Sequence, residues 1–569
     1  MEFLDARRLT GPSLLFDGPG AILDVLCSKD EAQRLIPVWR KHVDRMLSQL
    51  GWEGCEFQSL VLSGGVSLGF TSSIDALYVA SEINEWAWAT CDAELAGAEQ
   101  PDFDAAVAGI RTAIAEEANP ELIKLEALAA EYGVTFLWDD DDASLGLGRH
   151  SQTWPVRELP SPDSLDWGAF GDVPAGVVTG TNGKTTTVRL AAHILRAAGH
   201  NVGFSSTDFI AVNDRIVDRD DWSGPGGARI VLRERKVDVA ILETARGGLL
   251  RRGLGINKAD AALITNIAKD HLGDFGSQNL DELLQCKWIV TRAVSSSGKL
   301  VLNADDSLLV EKSTEYTGEI VWFSMDADNA VVCEHTNKGG VAFVLDGHDL
   351  LIAESDIRNP ICHDDDIPIT LGGAARHNVA NSLAAAALTW CMGVSPQDIG
   401  AGLKTMSQDE NPGRCNVYHI KGFTVIVDFA HNPEALQALL SMAGRLATKR
   451  KALCFGQAGD RPDDLIRELA RSAWESGLDQ VFVSELAIYH RGREFGDVFA
   501  VIKDELLSCG ADEQQIEHHD EEIESLNSAL EWAEPGDLIV MLSLERAPEL
   551  HERLESMRTG DDSNDKRHL

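Results

Sequence analysis

Paired cysteines are missing from this chain: its ten cysteines are scattered singly, and no Cys-x-x-Cys occurs. That excludes a zinc ribbon or a dithiol redox motif, and reduced thiols in a cytoplasmic protein are the expectation. Long apolar runs are missing too. No segment reaches about 18 uninterrupted apolar residues, so neither a membrane span nor a membrane partner is expected. The start, Met1-Glu2-Phe3-Leu4-Asp5, lacks a basic region followed by an apolar run and does not read as a signal peptide. Basic residues are scarce: 50 Lys and Arg face 91 Asp and Glu, a net charge of −41. Such a surface repels a phosphate backbone, so nucleic acid is not an expected partner. The acidity serves either solubility or the attraction of a basic substrate such as arginine or a basic peptide.

What is present is length and rhythm. At 569 residues the chain is too long for one core. Residues 1–155 carry helical spacing over Val38 to Leu50 and Ala105 to Tyr132, and a strand at Ser59 to Leu62. The run Asp139-Asp140-Asp141-Asp142 and the stretch Pro155 to Asp166 read as a linker. Residues 170–408 alternate short apolar strands (Gly176 to Val178, Val237 to Leu242, Ala261 to Ile264) with amphipathic helices such as Thr186 to Ala198, the rhythm of a parallel sheet. Within this block, about 311–370 reads as a small antiparallel insertion. Residues 411–557 alternate again, and 558–569 are polar and expected to be disordered. The expected class is α/β: a P-loop parallel-sheet central domain with that insertion, a C-terminal Rossmann-like α/β domain and an N-terminal α+β domain.

The strongest local signal is Val177-Val178-Thr179-Gly180-Thr181-Asn182-Gly183-Lys184-Thr185-Thr186, an apolar strand running into a glycine-rich turn and a helix. Glycines let backbone N–H groups close on phosphate oxygens, and the helix N-terminus adds positive potential. Lys184 would reach the terminal phosphates, and the Thr185 hydroxyl would hold Mg²⁺. Val178 stands where the common P-loop has a glycine, so the loop is a variant. The guanine-type motif Asn257-Lys258-Ala259-Asp260 precedes a strand, whereas a GTPase needs it to follow one. A kinase, an ATPase and a ligase remain. Val237 to Glu243 reads as an apolar strand ending in a carboxylate, at the sheet edge where ligands bind, so Glu243 is a candidate metal ligand. Arg246, Arg251 and Arg252 offer cations for phosphate or carboxylate. His271, shortly past the strand that ends at Thr265-Asn266, is a candidate second metal ligand.

These pieces resemble the Mur ligase family. The shared motifs are Gly180 to Thr186, Thr265-Asn266 with Asp270-His271-Leu272, Asn303-Ala304-Asp305-Asp306, Arg376-His377-Asn378 with Asn381, Asn411-Pro412-Gly413-Arg414, and Asp428-Phe429-Ala430-His431-Asn432-Pro433. They occur in family order. Glu243 to Gly255, Gly459-Asp460-Arg461 and Arg491-Gly492-Arg493 are similar to stretches of the cyanophycin synthetase branch, and so are Leu9-Thr10-Gly11-Pro12 and Ser144 to Gly148 in the N-terminal block. That branch carries an ATP-grasp module before its P-loop. Here the P-loop follows after about 30 residues, far short of the few hundred such a module needs.

The resemblance implies an ATP-dependent amide ligase. A carboxylate takes the γ-phosphate of ATP, and the acyl phosphate meets an amine as ADP and phosphate leave. It implies that Gly180, Thr181, Asn182, Gly183, Lys184, Thr185, Thr186 and Asn266 bind nucleotide, with Asn378, Arg414 and Asp428 contacting adenine, phosphate and ribose. Thr185, Glu243 and His271 would hold Mg²⁺. Lys287 would be either a carbamylated metal-supporting lysine or a solvated helix lysine. A hinge near Gln408 to Gly413 would gate the site. Arg246, Arg251, His431, Asn432 and Arg493 are the candidate substrate residues. The expected partners are a carboxylate, as a peptide or polymer, and an amino acid such as arginine or lysine; a homo-oligomer is the expected assembly. The N-terminal block reads as a docking module. A polyglutamate-type ligase and a nucleotide-binding scaffold without catalysis are the alternatives.

Overall fold

The computed structural model describes residues 1–269, 279–446 and 449–565. They divide into two compact units. The first holds the described residues of 1–268, 272–361 and 381–403, so the N-terminal block and the P-loop region lie in one unit. The second holds Lys269, 362–380 and the described residues from 404 onward.

The first unit is organised by an eleven-stranded sheet. Its middle is parallel, in the order Val202–Ser205, Val239–Glu243, Ala175–Thr179, Ala259–Ile264, Val294–Asn303, Glu319–Ser324 and Val341–Asp346. The inner strands are apolar along their whole length because helices cover both faces, and Ala175–Thr179 is buried at every position. Antiparallel pairing is confined to the edges. The insertion expected over 311–370 is therefore not a separate piece. Glu319–Ser324 and Val341–Asp346 run parallel within the main sheet, and antiparallel pairing begins with Asp349–Glu354. An apolar strand reads the same in either direction, so its pattern does not reveal its partner.

The N-terminal residues add a four-stranded antiparallel sheet of Glu2–Leu9, Gly20–Leu26, Gly65–Thr71 and Phe57–Leu62. Helix Lys29–Leu50 packs Trp39, Val43 and Met46 into this block's core. The helical spacing over Ala105 to Tyr132 resolves into two helices, Phe103–Glu117 and Pro120–Tyr132, because Pro120 starts the second with Asn119 as its N-cap. The acidic run, expected as part of a linker, is an ordered turn. It turns a hairpin between Phe136–Trp138 and Asp142–Leu145. Asp139 pairs with Arg233 at 2.5 Å, and Asp140 takes a two-point contact from Arg8 at 2.6 and 3.0 Å. Between Gly148 and Ala175 the chain makes one short strand and four three-residue turns, which leaves no room for another domain.

The second unit is a six-stranded sheet in the order Asn416–Ile420, Phe423–Asp428, Leu538–Leu542, Lys451–Phe455, Gln480–Ser484, Ile516–His519, parallel apart from the first strand. Glu517-His518-His519, polar in sequence, forms its edge strand. Helix Ala547–Asp565 ends the described chain.

Phe343 is fully buried in the first unit. Phe343→Ala leaves a cavity and is expected to lower stability by about 3–5 kcal/mol, read as an earlier urea transition of that unit.

Candidate active site

Sheet register brings the central residues together. Glu243, the last residue of its strand, stands opposite Val178, and Ile264 stands opposite Thr179. Three strands that lie far apart in sequence thus end at one edge, where the chain turns from Thr179 into the loop Gly180–Gly183 and then into helix Lys184–Ala197.

The loop is held from beneath by the neighbouring strand end. Asn266 clasps the backbone of Asn182 from both sides: Asn182 N–H donates to Oδ1 at 2.9 Å, and Nδ2 donates to the Asn182 carbonyl at 3.1 Å. The Thr265 hydroxyl donates to the same carbonyl at 2.7 Å. Thr181 N–H donates to Asn266 O at 2.9 Å. Two members of the Asn303–Asp306 motif support this brace. Asn303 Nδ2 donates to Thr265 O at 3.0 Å, and Asp306 Oδ2 accepts from Ile267 N–H at 2.7 Å. Asn266 and Asn303 therefore contact backbone and fix the loop's shape.

Glycine is required at two loop positions. Gly180 has φ +148°, and a Cβ there would collide with the Thr265 hydroxyl. Gly183 has φ +83°, and its Cβ would collide with the Asn381 amide. Asn381 belongs to a family motif but is not among the candidate site residues of the sequence. It lies one helical turn beyond Asn378, whose Nδ2 is instead bonded to Ile369 O at 2.8 Å within the second unit.

Above the loop lie the charged groups. Lys184 Nζ folds back onto Thr181 O at 2.9 Å. Lys287 is buried, not solvated, and its Nζ donates to Gly180 O at 2.7 Å. Glu243 has no exposed surface. Its Oε1 accepts from the Thr185 hydroxyl at 3.2 Å and from the Thr207 hydroxyl at 2.7 Å, and its Oε2 from Thr207 N–H at 3.3 Å. Its partners are thus neutral donors, and among the described residues no cation pairs with it. A carboxylate without exposed surface, a hydroxyl beside it and no protein cation is the oxygen donor set that suits Mg²⁺, so Thr185 and Glu243 fit the metal. Thr207 was missed by the sequence reading; it lies in the loop after Val202–Ser205, in a Ser-Ser-Thr run without a motif of its own. His271 lies outside the described residues.

Of the candidate substrate residues, Arg246 is buried at the start of helix Arg246–Arg252, and Arg251 is exposed near its end. The other three belong to the second unit. His431 Nδ1 lies 3.0 Å from Phe429 O, and Asn432 caps helix Pro433–Ala443 by accepting from Ala435 N–H at 2.9 Å. Arg493 is engaged by Gly459 O, Arg461 O and Asp463, so it pins the Gly459–Arg461 loop. In the same unit the Arg414 guanidinium stacks on Phe429, 4.5 Å from the ring centre. Asp428 accepts from Cys415 and Ala430 N–H at 2.7 and 2.8 Å. Burial pushes the His377 imidazole below its ordinary pKa while the Asp428 carboxylate opposes the shift, which puts the Arg376–Asn378 motif near the Asp428 motif.

A variant P-loop on a parallel sheet, beside a buried carboxylate, is the arrangement of a P-loop α/β domain, and a second α/β unit follows it in the chain. Residues 178–389 match the Mur ligase middle domain, and 413–543 match the Mur ligase, glutamate ligase domain. The chain belongs to the Mur ligase family. It is 35% identical over 400 residues to cyanophycin synthetase of Crocosphaera subtropica, covering 70% of this chain and 45% of that protein. It is 26% identical over 379 residues to UDP-N-acetylmuramoyl-L-alanyl-D-glutamate--2,6-diaminopimelate ligase of Bacillus cereus, covering 64% and 71%. Among solved structures, E. coli FolC in complex with DHPP and ADP has a similar fold, with a TM-score of 0.50 at 19% identity over 68% of this chain and 89% of that one. The chain spans less than half the length of the cyanophycin synthetases it matches.

Gly183→Ala adds a Cβ to a left-handed backbone and against Asn381. It is expected to weaken ATP binding by about tenfold or more, measured by titration calorimetry with Mg²⁺ present. Thr207→Val removes a hydroxyl from Glu243 and is expected to raise the Mg²⁺ concentration needed for half-maximal nucleotide binding.

Proposed function

We propose that this chain is an ATP-dependent carboxylate–amine ligase. It forms an acyl phosphate from a carboxylate substrate and joins it to the amine of an amino acid, releasing ADP and phosphate. The observation that carries the reading is the buried Glu243 carboxylate bonded to the Thr185 hydroxyl, directly beside a glycine loop whose Lys184 and backbone amides suit a polyphosphate. Family membership supports the same class.

When bound, ATP with Mg²⁺ supplies the phosphoryl group that activates the carboxylate. The chain's part is positioning and charge neutralisation. Thr185 and Glu243 would hold the metal, with Thr207 orienting Glu243. Lys184 would leave the Thr181 carbonyl for the phosphates, and Lys287 would steady the loop through Gly180. Arg414 and Asp428 would contact the nucleotide, as the resemblance to the family implies. Arg246 and Arg251 would take the carboxylate substrate by charge-assisted hydrogen bonds. The likeness to cyanophycin synthetase supports an aspartate-containing peptide or polymer as the carboxylate and a basic amino acid as the amine, and the net charge of −41 suits a cationic amine.

The test is ADP release measured over pairs of amino acids and short aspartate-rich peptides, with products identified by mass. ADP should form only when both a carboxylate and an amine are present. Turnover indifferent to every amine would sink the ligase reading. Lys184→Ala should slow ADP release on the order of 100- to 1,000-fold without unfolding the chain.

A further inference from the structure

Two of the contacts between the N-terminal block and the ligase region fall on the helices that carry Arg246 and Lys287. Helix Arg246–Arg252 has seven residues, too few to be stable alone, and its last carbonyls need partners. Residues some 240 positions away supply them. Arg7 donates to Leu250 O from Nε at 3.1 Å and from a terminal nitrogen at 3.0 Å. Thr10 N–H donates to Arg252 O at 2.8 Å, and Leu254 N–H donates to Pro12 O at 2.7 Å. The Arg7 guanidinium also brings positive charge to the negative end of the helix. It is buried, and Asp24 holds it in place at 2.6 Å.

The second contact is the turn at Ser63 and Gly64, between strands Phe57–Leu62 and Gly65–Thr71. Its glycines imitate a phosphate loop in sequence, but no lysine follows. Ser63 N–H and Oγ both donate to Glu282 Oε1, at 2.6 and 2.7 Å, and Asn279 Nδ2 donates to Ser63 Oγ at 2.8 Å. Asn279 is the N-cap of helix Leu280–Trp288, and Glu282 is its third residue. That helix carries Lys287, whose Nζ meets the Gly180 carbonyl.

We propose that the N-terminal block is a built-in brace for the ligase site. Arg7 and Thr10 cap the end of the helix that carries Arg246, and Ser63 locks the start of the helix that carries Lys287. Arg7 and Ser63 are positioning residues: they act through the two helices and touch no reactant. The catalytic part of this inference rests on the ligase reading; the structural part does not.

The test uses the full chain with Arg7→Met, Arg7→Lys and Ser63→Ala, and two readouts. The first is hydrogen exchange of residues 246–254 and 280–288. The second is ADP release with kcat and the KM for ATP separated. The brace requires faster exchange at 246–254 in Arg7→Met and at 280–288 in Ser63→Ala. It also requires kcat to fall about tenfold and threefold respectively with the ATP KM within twofold of the parent, and Arg7→Lys to recover part of the loss. If Arg7→Met does not fold, Ser63→Ala decides, because it removes one hydroxyl from a turn and leaves the Arg7–Asp24 pair intact. Unchanged exchange at both helices, or faster exchange with unchanged kcat, overturns the proposal. Should the parent chain release no ADP with any substrate pair, the ligase reading fails by itself, and exchange alone then decides whether the block braces the helices.

Discussion

Everything about the candidate site follows from one buried carboxylate. Glu243 has no exposed surface, and among the described residues its hydrogen-bond partners are two threonine hydroxyls and a backbone amide. Removing a carboxylate from water costs several kcal/mol, about what such a group requires of its surroundings even after relaxation. Three neutral hydrogen bonds offset only part of that. On the proposed ligase reading, a divalent cation at the Thr185–Glu243 pair would offset the remainder and favour polyphosphate at the adjoining loop.

The sheet makes this pairing possible. Parallel strands all end on the same side, so the residues just past Thr179, Glu243 and Ile264 are forced into proximity whatever their separation in sequence. The loop's own conformation is then over-determined. Asn266, Thr265 and Asn303 hold its backbone, and Gly180 and Gly183 occupy places where a side chain would meet Thr265 or Asn381. A rigid loop keeps its amides aimed at one point and loses little order when an anion arrives.

The site's main signals were legible because they are local. A strand, a glycine turn and Gly-Lys-Thr sit within ten residues, and Glu243 closes an apolar strand. Other features carry no local signal. Thr207 contributes a hydroxyl 36 positions before Glu243, from a loop with no period to read. Asn378 and Asn381 lie on one helix, and sequence spacing does not say that Asn381 is the one at Gly183. The run Asp139 to Asp142 reads as part of a linker, and nothing local reveals that Arg8 and Arg233 pair with it.

By itself the sequence determined the α/β class, the variant phosphate loop, the ordered motifs of a Mur-type ligase and the shortness of the stretch that joins the N-terminal block to the loop. Those depend on periodicity and on residues close together in the chain. Only the tertiary structure decided that Lys287 is buried against the Gly180 carbonyl, that Glu319–Ser324 and Val341–Asp346 extend the main sheet in parallel, and that residues 7–12 cap a helix at 246–252. Each of these is a pairing of orphan polar groups or strand edges across hundreds of residues. Such pairings are settled by which partners the fold brings within hydrogen-bonding distance, and no local pattern encodes that.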